Sequence, residues 1–178
     1  MYYLLFFSIF NIIQCYSNLY HEYELAYQYI SNSSELINTF SQYNDLQDPM
    51  CVCVSNQILK DKPSNFINEI LNYEYQFLDS IKRDSIKANL INNQFKSKKM
   101  IIDIDDSLSL LSKDSVCKLI IFFSKINDNK LFADVEINIE DSYDYYYITS
   151  VLSPVTIKFL FYFEENSIKK VFYKIAYR

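Results

Sequence analysis

The sequence contains no glycine and no tryptophan, one histidine and three prolines in 178 residues. The missing glycine removes whole classes of site. A phosphate-cradling loop, a dinucleotide fingerprint and a nucleophile elbow all need a residue without Cβ where the backbone approaches a ligand or turns sharply. It also means that any turn with positive φ must use Asn, Asp or another residue, at some strain. The single histidine, His21, stands near the chain start with no triad pattern beside it, so no catalytic role is assigned to it. Cationic residues are also scarce. There are 17 Lys plus Arg against 22 Asp plus Glu, a net charge of −5, which argues against a nucleic-acid partner. No apolar run reaches the ~18 residues of a membrane span, so no membrane partner is expected once the leader is removed.

What is present is apolar and aromatic. Half the residues are hydrophobic and 17% are aromatic, which excludes a disordered chain. The length suits one domain with its own core. The run from Leu4 to Ile13 matches the apolar region of a secretory leader. Ile13 and Cys15 stand three and one before a cut, with Cys15 and Ser17 as an alternative pair. The expected organisation is a signal peptide at 1–15 and one α+β domain at 16–178, secreted to the extracellular space.

The clearest pattern lies in the last 24 residues, Val155 to Arg178. Val155, Ile157, Phe159, Phe161 and Phe163 alternate with Thr156, Lys158, Tyr162 and Glu164, and Leu160 is the one apolar intruder. After Glu164-Glu165-Asn166-Ser167 the alternation resumes with Val171, Tyr173, Ile175 and Tyr177. This predicts an antiparallel hairpin of half-buried strands whose apolar face needs a cover. Leu131 to Glu140 alternates as clearly, with Asp134, Glu136, Asn138 and Glu140 opposite the apolar side chains. The turn before it, Ile126 to Lys130, carries Asn and Asp that tolerate left-handed backbone. Further strands are predicted at 86–95, 99–105, 116–126 and 145–152, and residues 106–114 read as loop, short helix or strand end. Helical spacing covers 18–30, through Leu19, Tyr23, Ala26, Tyr27 and Ile30. It returns in Glu35 to Tyr43, capped by Ser33 or Ser34, and from Pro63 to about Ile81. Met50 to Val54 is a short strand.

Four groupings are candidates for chemistry. Removal of the leader leaves Cys51, Cys53 and Cys117. An odd count in a secreted chain implies one disulfide and one further thiol. Cys51 and Cys53 share a strand face too closely to bond each other, so the expected bond joins one of them to Cys117, with three buried thiols acting as small hydrophobes as the alternative. With one histidine in the chain, no metal is assigned to them. Asn32-Ser33-Ser34 is a glycosylation sequon, with Asn32 the acceptor. Asp103, Asp105, Ser107 and Asp114 align with a calcium loop, but Leu108 stands where that loop needs Gly, so no metal is assigned there either. Asp141 to Tyr147 clusters tyrosines, read as a hairpin turn entering a packed strand or as a recognition edge. Lys96 to Lys99 reads as a solvated turn. No cofactor motif is found.

The order of elements resembles the NTF2-like superfamily. Asn32 to Phe40 looks like its second helix, Met50 to Val54 like its first strand, and Lys62 to Leu71 like its third helix. The chain is similar to extracellular NTF2-like domains of nematodes, although Asn56-Gln57 stands where that family carries Gly. The resemblance implies N-terminal helices packed on a curved antiparallel sheet, an NTF2-like or cystatin-like cone. It also implies a ligand pocket or an enzyme site at the cone's mouth. With no catalytic constellation visible, the expected function is a secreted, non-catalytic binding or interaction protein. The alternatives are a small pocket enzyme of isomerase or hydratase type, or a carrier of a small apolar ligand. The expected partner is another protein or a small apolar ligand, and a dimer through the sheet is a candidate assembly.

Overall fold

The terminal hairpin forms as its alternation predicts, but its first strand is buried on both faces. The computed structural model describes residues 20–42, 51–95, 99–112, 117–138, 142–151 and 154–177. In it β6 (Val155–Glu164) and β7 (Ser167–Tyr177) pair along their whole length. Strand β6 lies one strand in from the edge of a five-stranded sheet ordered β1-β4-β5-β6-β7, with β1 (Val52–Val54), β4 (Leu119–Phe123) and β5 (Lys130–Ile137). All neighbours are antiparallel except β1 and β4, which run parallel. A separate ribbon joins β2 (Gln57–Leu59) to β3 (Ile101–Ile104). The α+β class and the N-terminal helices ahead of a curved, mostly antiparallel sheet are as expected.

One sheet face carries the predicted apolar stripe. Ile157, Phe159, Phe161 and Phe163 of β6 meet Leu131, Ala133 and Val135 of β5 and Ile121 and Phe123 of β4. They are covered by α1, whose described part is 20–31, and by α2 (Ser34–Ser41). Tyr23, Ala26 and Ile30 of α1 are buried at helical spacing, as are Leu36 and Phe40 of α2. Ser33 caps α2, its Oγ accepting from Leu36 N. Phe161 is fully buried, and Phe161→Ala would cost about 3–5 kcal/mol.

The opposite face is covered too, and here the sequence misleads. The turn Pro63–Phe66 leads into α3 (Ile67–Glu74), and Phe66 and Ile70 pack on Leu160 and Tyr162 of β6. Leu160, the apolar intruder, is the anchor of this second layer. The helix predicted to run to Ile81 ends at Glu74. Asp79 then starts α4 (Ser80–Phe95), its Oδ1 accepting from Lys82 N at 2.9 Å. The predicted strand 86–95 is therefore helix. Phe77, inside the predicted helix, lies in the connection and is exposed. The predicted strand 145–152 is also helix, α5 (Tyr145–Val151). Asp144 Oδ1 accepts from Tyr147 N at 2.8 Å, and Tyr145 and Ile148 bury one face against Ile120 and Phe122. That packing overrides the β-preference of a Tyr-Tyr-Tyr-Ile-Thr run. Residues 106–111 form a 3-10 turn with Leu108 buried. The predicted leader at 1–15, Lys96 to Lys98 and Asp114 lie outside the described residues. Among the described residues no helix is long and apolar enough to cross a membrane.

Both tight hairpins use two consecutive left-handed residues, Asp128-Asn129 and Glu165-Asn166. That conformation matches the strand twist and is what a two-residue turn demands. Asn and Asp tolerate it; Glu165 (φ 48°) does not, and stands there because the chain has no glycine to offer. Replacing the pair with Glu165→Asn and Asn166→Gly should raise stability by about 1 kcal/mol in chemical denaturation.

Candidate functional site

The polar side of β5 does not face water. Asp134 and Glu136 are buried, and across the rungs of the sheet they meet Lys158 and Thr156 of β6. Thr156 Oγ1 donates to both Glu136 oxygens at 2.9 Å. Asp134 Oδ2 is the centre of a larger cluster. Lys62 Nζ donates to it at 2.8 Å, Lys158 Nζ at 3.1 Å and Tyr145 Oη at 3.1 Å. Lys62 Nζ also reaches Tyr145 Oη at 2.5 Å and lies 4.8 Å from the centre of its ring. Lys62 comes from the loop before Pro63, Lys158 from β6 and Tyr145 from the start of α5. Three elements therefore converge on a carboxylate carried by a fourth, β5.

The electrostatics follow from this crowding. Burial alone would push Asp134 up, but the Lys62 and Lys158 charges outweigh it and hold its carboxyl below the ordinary 3.8. Burial also pushes the Lys62 ammonium below its ordinary 10.5, and Lys158 adds to this, despite the attraction of Asp134. A lysine of lowered proton affinity beside a tyrosine and an aspartate could move a proton or attack a carbonyl. The space beside it is small. The cavity lined by Lys62, Asn65, Phe66, Phe122, Ser124 and Asp134 has a volume of about 10 Å³, about the space of one water. The cluster works as a polar pillar joining α5 and the Lys62 loop to the sheet. A similar but more open contact ties α3, where Glu74 accepts from Tyr162 Oη at 2.6 Å and from Lys130 Nζ at 3.1 Å.

The sequence candidates are scattered by comparison. Cys53 bonds Cys117 with Cα atoms 5.6 Å apart, and Cys51 Sγ lies 3.0 Å from Cys117 Sγ. All three sulfurs lie within 4.8 Å of one another. Asn32 is exposed at the end of α1, where its Nδ2 donates to Gln28 O. His21 is exposed and faces Glu24 at 3.9 Å. The aligned calcium-loop residues are engaged elsewhere. Asp103 pairs with Lys125 at 2.6 Å, Asp105 Oδ1 accepts from the backbone and hydroxyl of Ser107, and Leu108 is core. Tyr143, Tyr146 and Tyr147 are partly exposed while Tyr145 is buried, so the tyrosine cluster is split between core and surface. Sequence reasoning placed Asp134 and Glu136 on a polar face and missed Lys62 and Tyr145. The available signal was the matching order of Asp134-x-Glu136 and Thr156-x-Lys158 on paired strands.

Asp134→Ala should destabilise the protein by about 3 kcal/mol, since it strands two partly buried ammonium groups. Converting Lys62, Asp134 and Lys158 together to Met, Leu and Met should recover most of that loss in equilibrium unfolding. A carboxyl with a depressed folded-state pKa contributes stability above its unfolded value and loses it as pH falls toward the folded one. The melting temperature should therefore drop as pH falls below 3.8, and Asp134→Asn should flatten that drop.

Comparison of the chain with protein-family models, curated proteins and solved structures finds no match to any of them.

Proposed function

We propose that this chain is a secreted, non-catalytic interaction protein whose working surface is its exterior. The observation that carries this reading is the close packing of the described residues on both faces of the sheet. The sheet is covered on both faces, and the enclosed space beside its buried acid is about 10 Å³. A pocket enzyme or an apolar-ligand carrier needs a cavity of roughly 300 Å³ or more. The larger hollows described are open ones at the surface, such as that lined by Leu25, Tyr29, Asn32 and Ile168. Apolar side chains are meanwhile held outward along the flank formed by β3 and α5, which Met100 N joins by donating to Tyr146 Oη at 2.8 Å. Ile102 and Ile104 are 43% and 62% exposed there, and Tyr146 is 44% exposed. Exposed Ile and Tyr grouped on one flank suit a protein partner. Kinship with the NTF2-like superfamily is proposed on the order of elements, and secretion on the apolar run Leu4 to Ile13.

Ile102→Glu with Ile104→Glu should abolish capture of a protein partner from extracellular fluid while leaving the circular dichroism spectrum and melting temperature unchanged. Equal capture by both proteins would remove the flank from consideration. Native mass spectrometry of the secreted protein should give the mass of the chain with any glycan alone. A retained small apolar molecule would overturn this reading in favour of the carrier.

A further inference from the structure

The three cysteines lie at the start of the β1–β4 pair, the only parallel contact among the described strands of the main sheet. Leu119 N donates to Cys51 O at 3.2 Å, which sets Cys51 beside the entry to β4. Cys53 and Cys117 share the bond and are each 1% exposed, so a thiol in solution has no approach to it. Cys51 is partly exposed, stands outside that bond, and has its sulfur 3.0 Å from Cys117 Sγ. A metal ion would need all three sulfurs as thiolates, and the Cys53–Cys117 bond occupies two of them.

We propose that Cys51, Cys53 and Cys117 form a thiol–disulfide exchange site in which the bond from Cys117 passes between Cys53 and Cys51. The Cys51 thiolate attacks Cys117 Sγ, the Cys51–Cys117 bond forms, the Cys53–Cys117 bond breaks, and Cys53 leaves as thiolate. One thiolate is consumed and one released, so the step needs no outside oxidant or reductant. The Tyr143 hydroxyl, 3.6 Å from Cys53 Sγ, is placed to donate to the leaving sulfur. Either pairing keeps β1 tied to β4, so the exchange moves the bond without freeing the strand. What changes is access. In the second pairing one sulfur of the bond is the partly exposed Cys51. A small external thiol, or a cysteine of a partner protein, can then attack that sulfur, form a mixed disulfide with Cys51 and release the Cys117 thiolate. The ligand class is thus a thiol, entering through Cys51 alone.

The test uses the full chain, quenched in acid and alkylated, with tandem mass spectrometry assigning which cysteine carries the label. Label should fall on both Cys51 and Cys53, reporting two pairings, and Cys117 should remain unlabelled. In dithiothreitol, Cys51→Ser should lose its disulfide at least about tenfold more slowly than the parent chain, because the entry sulfur is gone. Cys53→Ser should form the Cys51–Cys117 bond and reduce at least as fast as the parent chain. Label confined to Cys51 in the parent chain would overturn the proposal, and so would equal reduction rates for the parent and Cys51→Ser. The labelling experiment needs no variant to fold, so it stands if a substitution destabilises the chain.

Discussion

One oxygen atom, Oδ2 of Asp134, receives hydrogen bonds from Lys62, Lys158 and Tyr145, and the second layer of this protein depends on it. A buried carboxylate without partners costs several kcal/mol. Here the partners arrive from a loop, a neighbouring strand and a helix, so the cost is met only when all three are docked. That requirement ties the position of α5 and of the chain before Pro63 to the middle of β5. The apolar contacts around it, Phe66 and Ile70 on Leu160 and Tyr162, supply the area. The charged cluster sets where those surfaces meet.

This arrangement gives a sheet with two occupied faces and a small enclosed space. The cone interior suggested by the order of elements is packed by Phe159, Phe161 and Phe163 against α1 and α2. The opposite side is packed by α3 and α5. Chemistry that needs a substrate chamber has no room beside Asp134. Chemistry that needs only a small thiol's access has a place at Cys51, where the short β1–β4 pair is tied. Ile102, Ile104 and Tyr146 are held outward on β3 and α5, away from both.

Much of the fold was legible because period and turn chemistry are local. The β6–β7 hairpin, β5, the turn at Asp128-Asn129, the caps at Ser33 and the stripe Tyr23, Ala26 and Ile30 all follow from side-chain spacing and from residues that tolerate left-handed backbone. Two local signals were present and passed over. Asp79 and Asp144 each start a helix by accepting from a backbone N–H three residues on, yet Ile86, Ala88 and Leu90 also alternate, and Tyr145 to Val151 is rich in strand formers. Where both periods fit, a cap three residues back is the better discriminator.

The sequence by itself determined which side chains share a face, where the tight turns fall without glycine, and that Cys51 and Cys53 would not bond each other. The tertiary structure decided whether each face is wet or dry, that Cys117 is bonded with both Cys51 and Cys53 beside it, and that Tyr145 belongs to a helix. The reason is range. Periodicity and turn preference act within a few residues, whereas Asp134 can be buried only because Lys62 and Tyr145, 72 and 11 positions away, are carried to it by the packing of other elements.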